Sequence, residues 1–103
     1  MMRRRILVID RVIACDLAED CELVAASDGQ DALARVEHGE RFDLILSGVR
    51  VGVPLHTAMS RLARDQADRI VFVADDADGV LDRLPNTVLR APVGASVVRA
   101  LLS

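Results

Sequence analysis

The sequence contains no lysine; all 13 of its basic residues are arginine. No mechanism that requires a lysine ammonium can therefore operate in this chain. There is no Trp or Tyr and only two Phe, so the core must be aliphatic, built from Val, Leu, Ile and Ala. The two cysteines, Cys15 and Cys21, stand six positions apart with no second pair, which indicates neither a zinc site nor a disulfide framework. They read as reduced, structural thiols. A long apolar run is also missing. The apolar stretch behind Arg3, Arg4 and Arg5 covers only residues 6–9 and stops at Asp10, too short for a secretory or membrane-spanning segment. The net charge of −3 gives neither a nucleic-acid footprint nor a membrane-binding surface. These absences leave a cytoplasmic protein, with neither nucleic acid nor membrane as partner.

What remains is 51% apolar over 103 residues, enough for one core and one domain over residues 1–103. Residues 5–9 read as a continuous apolar strand of the kind buried on both faces of a parallel sheet. A short helix is expected over 12–19, a strand over 22–26, and a turn at Ser27, Asp28 and Gly29 with Ser27 or Asp28 available as a helix cap. The next helix, 30–38, stops at Gly39. A third strand over 42–46 leads into a Gly- and Val-rich link, 47–53, and Pro54 opens a helix with Leu55, Ala58, Met59 and Leu62 at helical spacing. The fourth strand is 69–74, a short helix 79–84, the fifth strand 87–90 and a last helix 94–102. This alternation predicts an α/β fold: a flavodoxin-like, doubly wound, five-stranded parallel sheet of order 2-1-3-4-5 with about five helices, some of them shortened. In such sheets ligands bind beyond the carboxyl ends of the strands.

At those strand ends the chain resembles the receiver domain of two-component response regulators. Ile6-Leu7-Val8-Ile9-Asp10 is similar to the family's first strand and its acidic end. Ala26-Ser27-Asp28-Gly29-Gln30-Asp31-Ala32-Leu33 resembles its second turn and helix. Phe42-Asp43-Leu44-Ile45-Leu46 resembles the strand that carries the phosphoacceptor, and Arg69-Ile70-Val71-Phe72-Val73 and the segment ending in Pro92 resemble the last two strands. The resemblance implies a phosphoryl-transfer site: paired acidic residues and an acceptor aspartate around Mg²⁺, the aspartate acting as nucleophile, with a lysine and a Ser/Thr hydroxyl contacting the phosphoryl group.

Only Asp10 of that set is matched. Its acidic partner position is Arg11, the acceptor position Gly48, the hydroxyl position Ala74 and the lysine position Ala91. A register slip recovers nothing, because no Asp or Glu lies between Asp43 and Asp65. Asp43 opens its strand and, at about 3.3 Å per residue, falls roughly 15 Å short of the site. Arg11 would repel a cation about 4 Å away by roughly 4 kcal/mol per unit charge at an effective dielectric of 20. The resemblance therefore implies a degenerate, metal-free pocket, no cofactor and no enzymatic activity.

Other residues read more plainly. Asp10 and Arg11 form a local ion pair, Asp75, Asp76 and Asp78 a solvated helix cap, Ser47 a hydroxyl beside a strand end, and His38 and His56 surface histidines. The peptide bond between Ala91 and Pro92 is expected to be cis by analogy with the family. The family's usual interaction surface, made by the fourth helix, fifth strand and fifth helix, would carry Val80, Leu81, Leu84, Val97 and Leu101 with Arg83, Arg90 and Arg99 at its rim; an exposed surplus there would mark a partner or self-association face. The leading expectation is a stand-alone pseudo-receiver that binds signalling proteins in bacteria and acts in trans. The alternative is a small-molecule sensor holding an anionic ligand through Arg11 and Arg50 at the vacated pocket.

Overall fold

The computed structural model describes residues 4–9, 21–74, 84–90 and 95–102. In β1 (Arg4–Ile9), Leu7 and Ile9 enter one core cluster while Ile6 enters another with Val8 packed beside it. Successive side chains of a strand point to opposite faces, so a run apolar in both phases belongs in the middle of a sheet covered on both sides. β1 lies between β2 (Cys21–Ala26) and β3 (Leu44–Gly48), and β4 (Ile70–Ala74) and β5 (Val88–Arg90) follow. Every pair is parallel, and the order is β2-β1-β3-β4-β5. The expected five-stranded, flavodoxin-like α/β sheet is the observed one.

One face is covered by α1 (Gly29–Glu37) and α2 (Val49–Leu62), whose Ala32, Val36, Leu55 and Met59 are buried against Leu7, Ile9, Ile45 and Phe72. The other face is covered by α4 (Ala95–Leu102), through buried Val98 and half-buried Leu102, over Ile6, Leu44, Leu46, Val71 and Val73. Each such side chain taken fully out of water contributes about 1.5–3 kcal/mol. At the start of α1 the Asp28 carboxylate accepts the Asp31 N–H at 2.8 Å, and Asp31 in turn accepts the Ser27 N–H at 3.0 Å. The helix ends at Gly39, whose φ of 98° closes the last turn and lets its N–H reach the Val36 carbonyl at 3.0 Å.

Three expectations are corrected. The third strand is 44–48 rather than 42–46, because Phe42 is taken by another partner: Gln66, in the single-turn α3 (Arg64–Ala67), accepts the Phe42 N–H at 2.9 Å and donates to the Phe42 carbonyl at 3.3 Å. The link expected at 47–53 does not exist. β3 passes straight into α2, whose helical residues begin at Val49. Pro54 stands inside that helix rather than opening it, so the Arg50 carbonyl loses its helical N–H donor. Packing of Val49 and Val51 against the core offsets that loss. The helix expected at 12–19 and residues 79–83 of the one expected at 79–84 lie outside the described residues, and Leu84 is not helical.

Candidate functional site at the strand ends

Parallel strands bring their carboxyl ends to one edge, and the register fixes who stands beside whom. Ser47 pairs with Phe72, Gly48 with Val73, and Ala74 with Arg90. Gly48 is at once the last residue of β3 and the N-cap of α2, with φ −60°, ψ 157° and no side chain to cap the helix. Val49 is already helical, so the strand end is roofed by the first turns of α2 without an intervening loop.

Ser47 lies beneath that roof. It is fully buried, and its hydroxyl donates to the Gly48 carbonyl at 3.0 Å. Gly52, one turn into α2, sits so close that a β-carbon there would be 3.1 Å from Ser47 Oγ and 2.6 Å from the Phe72 ring. Ser47 was read as a hydroxyl beside the strand end; its complete burial depends on this close approach. Ala74, at the hydroxyl position, is also fully buried. Asp10, Arg11 and Ala91, together with the peptide bond before Pro92, lie outside the described residues.

The described residues do not fit a divalent cation here. Gly48 and Ala74 carry no side-chain oxygen and the Ser47 hydroxyl is turned to a carbonyl; hard cations need several oxygen ligands. Among the described residues no cluster of three or more His, Cys, Asp or Glu could hold a metal ion. Asp43 is at the opposite edge. Its carboxylate accepts the Arg5 N–H at 2.8 Å and lies 3.7 Å from the Arg4 guanidinium.

The neighbouring charges are structural. Arg5 donates to Glu40 at 3.0 Å and Glu22 at 3.1 Å and stacks over Phe42 at 4.9 Å. The hydrogen bond to Glu40 is the main cause that raises the Arg5 pKa above its ordinary value, against the opposing effect of burial. Cys21 is a buried free thiol.

Of the expected interaction face, Val80, Leu81 and Arg83 lie outside the described residues. Val97 and Leu101, 42% and 38% exposed, share one side of α4; Arg99 is exposed on the helix's other flank, and Arg90 is exposed at the end of β5. Leu84 does not belong to that face; it packs against the α1–α2 core cluster. Sequence reasoning also missed a groove of about 530 Å³ between α1 and α2, lined by Leu33, Val51, Pro54, Leu55 and Ala58 with Asp28 at one end. Part of its sequence signal was Val51, in a stretch read as a link rather than a helix. Among the described residues no helix is long and apolar enough to cross a membrane.

No protein-family pattern and no characterised protein matches the sequence. Solved structures do match in shape. A response regulator receiver protein from Pseudomonas putida superposes with a TM-score of 0.68 at 16% identity, covering 99% of this chain and 97% of that one. A receiver protein from Sinorhizobium medicae gives 0.66 at 15% identity, over 97% and 91%. The receiver domain of AraT, a response regulator from Geobacillus stearothermophilus, gives 0.62 at 18%, over 98% and 91%. The fold is that of response-regulator receiver domains.

Proposed function

We propose that the chain is a pseudo-receiver: a receiver-like module that takes no phosphoryl group and serves bacterial signal transduction by binding partner proteins. The observation that carries this reading is Gly48. The residue at the mouth of β3 offers no nucleophile and is the N-cap of α2, while the nearest hydroxyl, Ser47, is fully buried. With no lysine in the sequence, an ammonium to sense a phosphoryl group is missing too. The module is not an enzyme, needs no metal or cofactor, and works in the cytoplasm on signalling proteins rather than nucleic acid or membrane. Its conformation is set by packing and by whichever state a partner binds better.

The partner surface on this reading is the side of α4 that leaves Val97 and Leu101 exposed; exposed apolar side chains that share one face mark interaction sites. Incubation with a small phosphodonor and Mg²⁺, followed by intact mass, tests the central statement. An unchanged mass is expected, and a stoichiometric gain of one phosphoryl group would overturn it. The exposed guanidinium of Arg50, in the first turn of α2, favours a second reading, an anion sensor at the strand ends. It requires a rise in melting temperature with phosphate or a nucleotide, and a flat response across such a panel removes it.

A further inference from the structure

The groove between α1 and α2 is lined mainly by apolar side chains, with Asp28 at one end, and the exposed charges of the two helices that flank it are opposite in sign: Glu37 on α1, Arg50 and Arg61 on α2. We infer that a second copy of this chain docks on it, the α1–α2 face forming a two-fold symmetric, salt-sensitive homodimer. Both helices leave the same edge of a parallel sheet, so they run in the same sense. On α1, Gln30, Leu33 and Glu37 recur at three- and four-residue spacing beside the groove, and Asp28 caps the helix at its upper end. On α2, Arg50 and Arg61 are 11 residues apart, within about 20° of each other around the helix and next to Pro54 on the groove's other rim. The acidic residues flanking the groove are thus Asp28 and Glu37, and the basic ones Arg50 and Arg61. α2 contains no acidic residue at all.

None of these four makes an ion pair within the described structure, and Asp28 is engaged there as the helix cap. The ion pairs there are made by Arg4, Arg5 and Arg35 with Asp31, Asp43, Glu22 and Glu40. Arg50, Arg61 and Glu37 take no part in them and are exposed. A two-fold axis along the groove, parallel to both helices, lays α1 of one copy on α2 of the other, running in the same sense. Asp28 then meets the partner's Arg50 and Glu37 meets the partner's Arg61, each pair occurring twice, as an isologous interface requires. The spans agree: about 14 Å from Asp28 to Glu37 and about 16 Å from Arg50 to Arg61 at 1.5 Å per residue. Leu62, 43% exposed at the groove's lower end, and Leu33 would be covered by the same contact. Helices of these lengths offer a patch on the order of 400 Å² per partner, about half a standard interface, so the dimer is weak. The inference is independent of the pseudo-receiver reading, since it uses neither Gly48 nor α4.

Charge reversal tests it. Glu37→Arg and Arg61→Glu change exposed residues in the last turns of the two helices, and circular dichroism confirms that both variants fold. Sedimentation velocity at low ionic strength, with protein up to hundreds of micromolar, is expected to show dimer in the original chain. Each single reversal should weaken self-association roughly tenfold or more, because both symmetric pairs become like-charged. An equimolar mixture of the two variants should associate again, as every pair between positions 37 and 61 is then opposite in sign, and 1 M salt should disperse it. A chain that stays monomeric at all concentrations, a dimer indifferent to both reversals, or a mixture that fails to associate would each overturn the proposal.

Discussion

The ring of Phe72 lies directly against Gly52: a β-carbon at Gly52 would come within 2.6 Å of Cδ1 and 2.7 Å of Cε1. This contact lets α2 start immediately after β3 and roof the strand ends, so it shapes the candidate site as well as the core.

Gly52→Ala is therefore expected to destabilise the fold despite alanine's advantage of about 1 kcal/mol in a helix. Overpacking a rigid, fully buried aromatic costs about 1–3 kcal/mol or more, and Phe72 has no exposed end to move. Chemical denaturation should show a net loss of about 1–2 kcal/mol. Adding Phe72→Leu should make the alanine far less costly than it is in the original background, a non-additivity expected only of residues in contact.

The strands were legible because β1, β3 and β4 are runs apolar in both phases, and such runs have one home, the middle of a parallel sheet. The helix after β3 was misread because local rules conflicted with packing. Proline favours the first helical position, so Pro54 marked a start, yet burial of Val49 and Val51 and the close approach at Gly52 carried the helix back to residue 49. α3 has four residues, too few for a periodic signal. At the site, the identity of residue 48 was readable from sequence. The burial of Ser47 was not, because it depends on a glycine five residues later meeting a ring on another strand. The α1–α2 groove was harder to see because one of its lining residues, Val51, had been assigned to a link.

The pairing of Gln66 with Phe42 acts as a side-chain replacement for a strand neighbour, satisfying both main-chain groups of a buried residue. Gln66→Leu keeps the volume and removes both partners. It should cost about 1–3 kcal/mol, the penalty for leaving a buried N–H and carbonyl unpaired. Native-state hydrogen exchange supplies a second check: the Phe42 amide should lose protection while the amide of Ile45, bonded to the Arg69 carbonyl at 3.0 Å, largely keeps its own. Equal loss at both sites would indicate general loosening instead.

Asp28 caps α1 through the Asp31 N–H at 2.8 Å. Asp28→Ala should cost about 1 kcal/mol, whereas Asp28→Asn, which keeps the acceptor oxygen, should cost a few tenths. Thermal unfolding of the two variants separates them. An alanine variant as stable as the asparagine variant would show that the cap contributes nothing.

Restoring a carboxylate by Gly48→Asp gives the sharpest test of how far the strand ends have left phosphoryl transfer. The backbone at 48 is extended, φ −60° and ψ 157°, which aspartate adopts without strain, and the position is the N-cap of a 14-residue helix. The new carboxylate has uncapped N–H groups of α2 directly ahead of it, so it should bond there and raise stability by a few tenths to about 1 kcal/mol. Held as a cap, in a chain with no lysine to draw a phosphoryl group in, it should stay unmodified by a small phosphodonor and Mg²⁺. The expected result is thus a protein that melts higher and keeps its mass. A variant that gains one phosphoryl group would mean that a single side chain, rather than the α2 roof and the missing ammonium together, separates this fold from a working receiver.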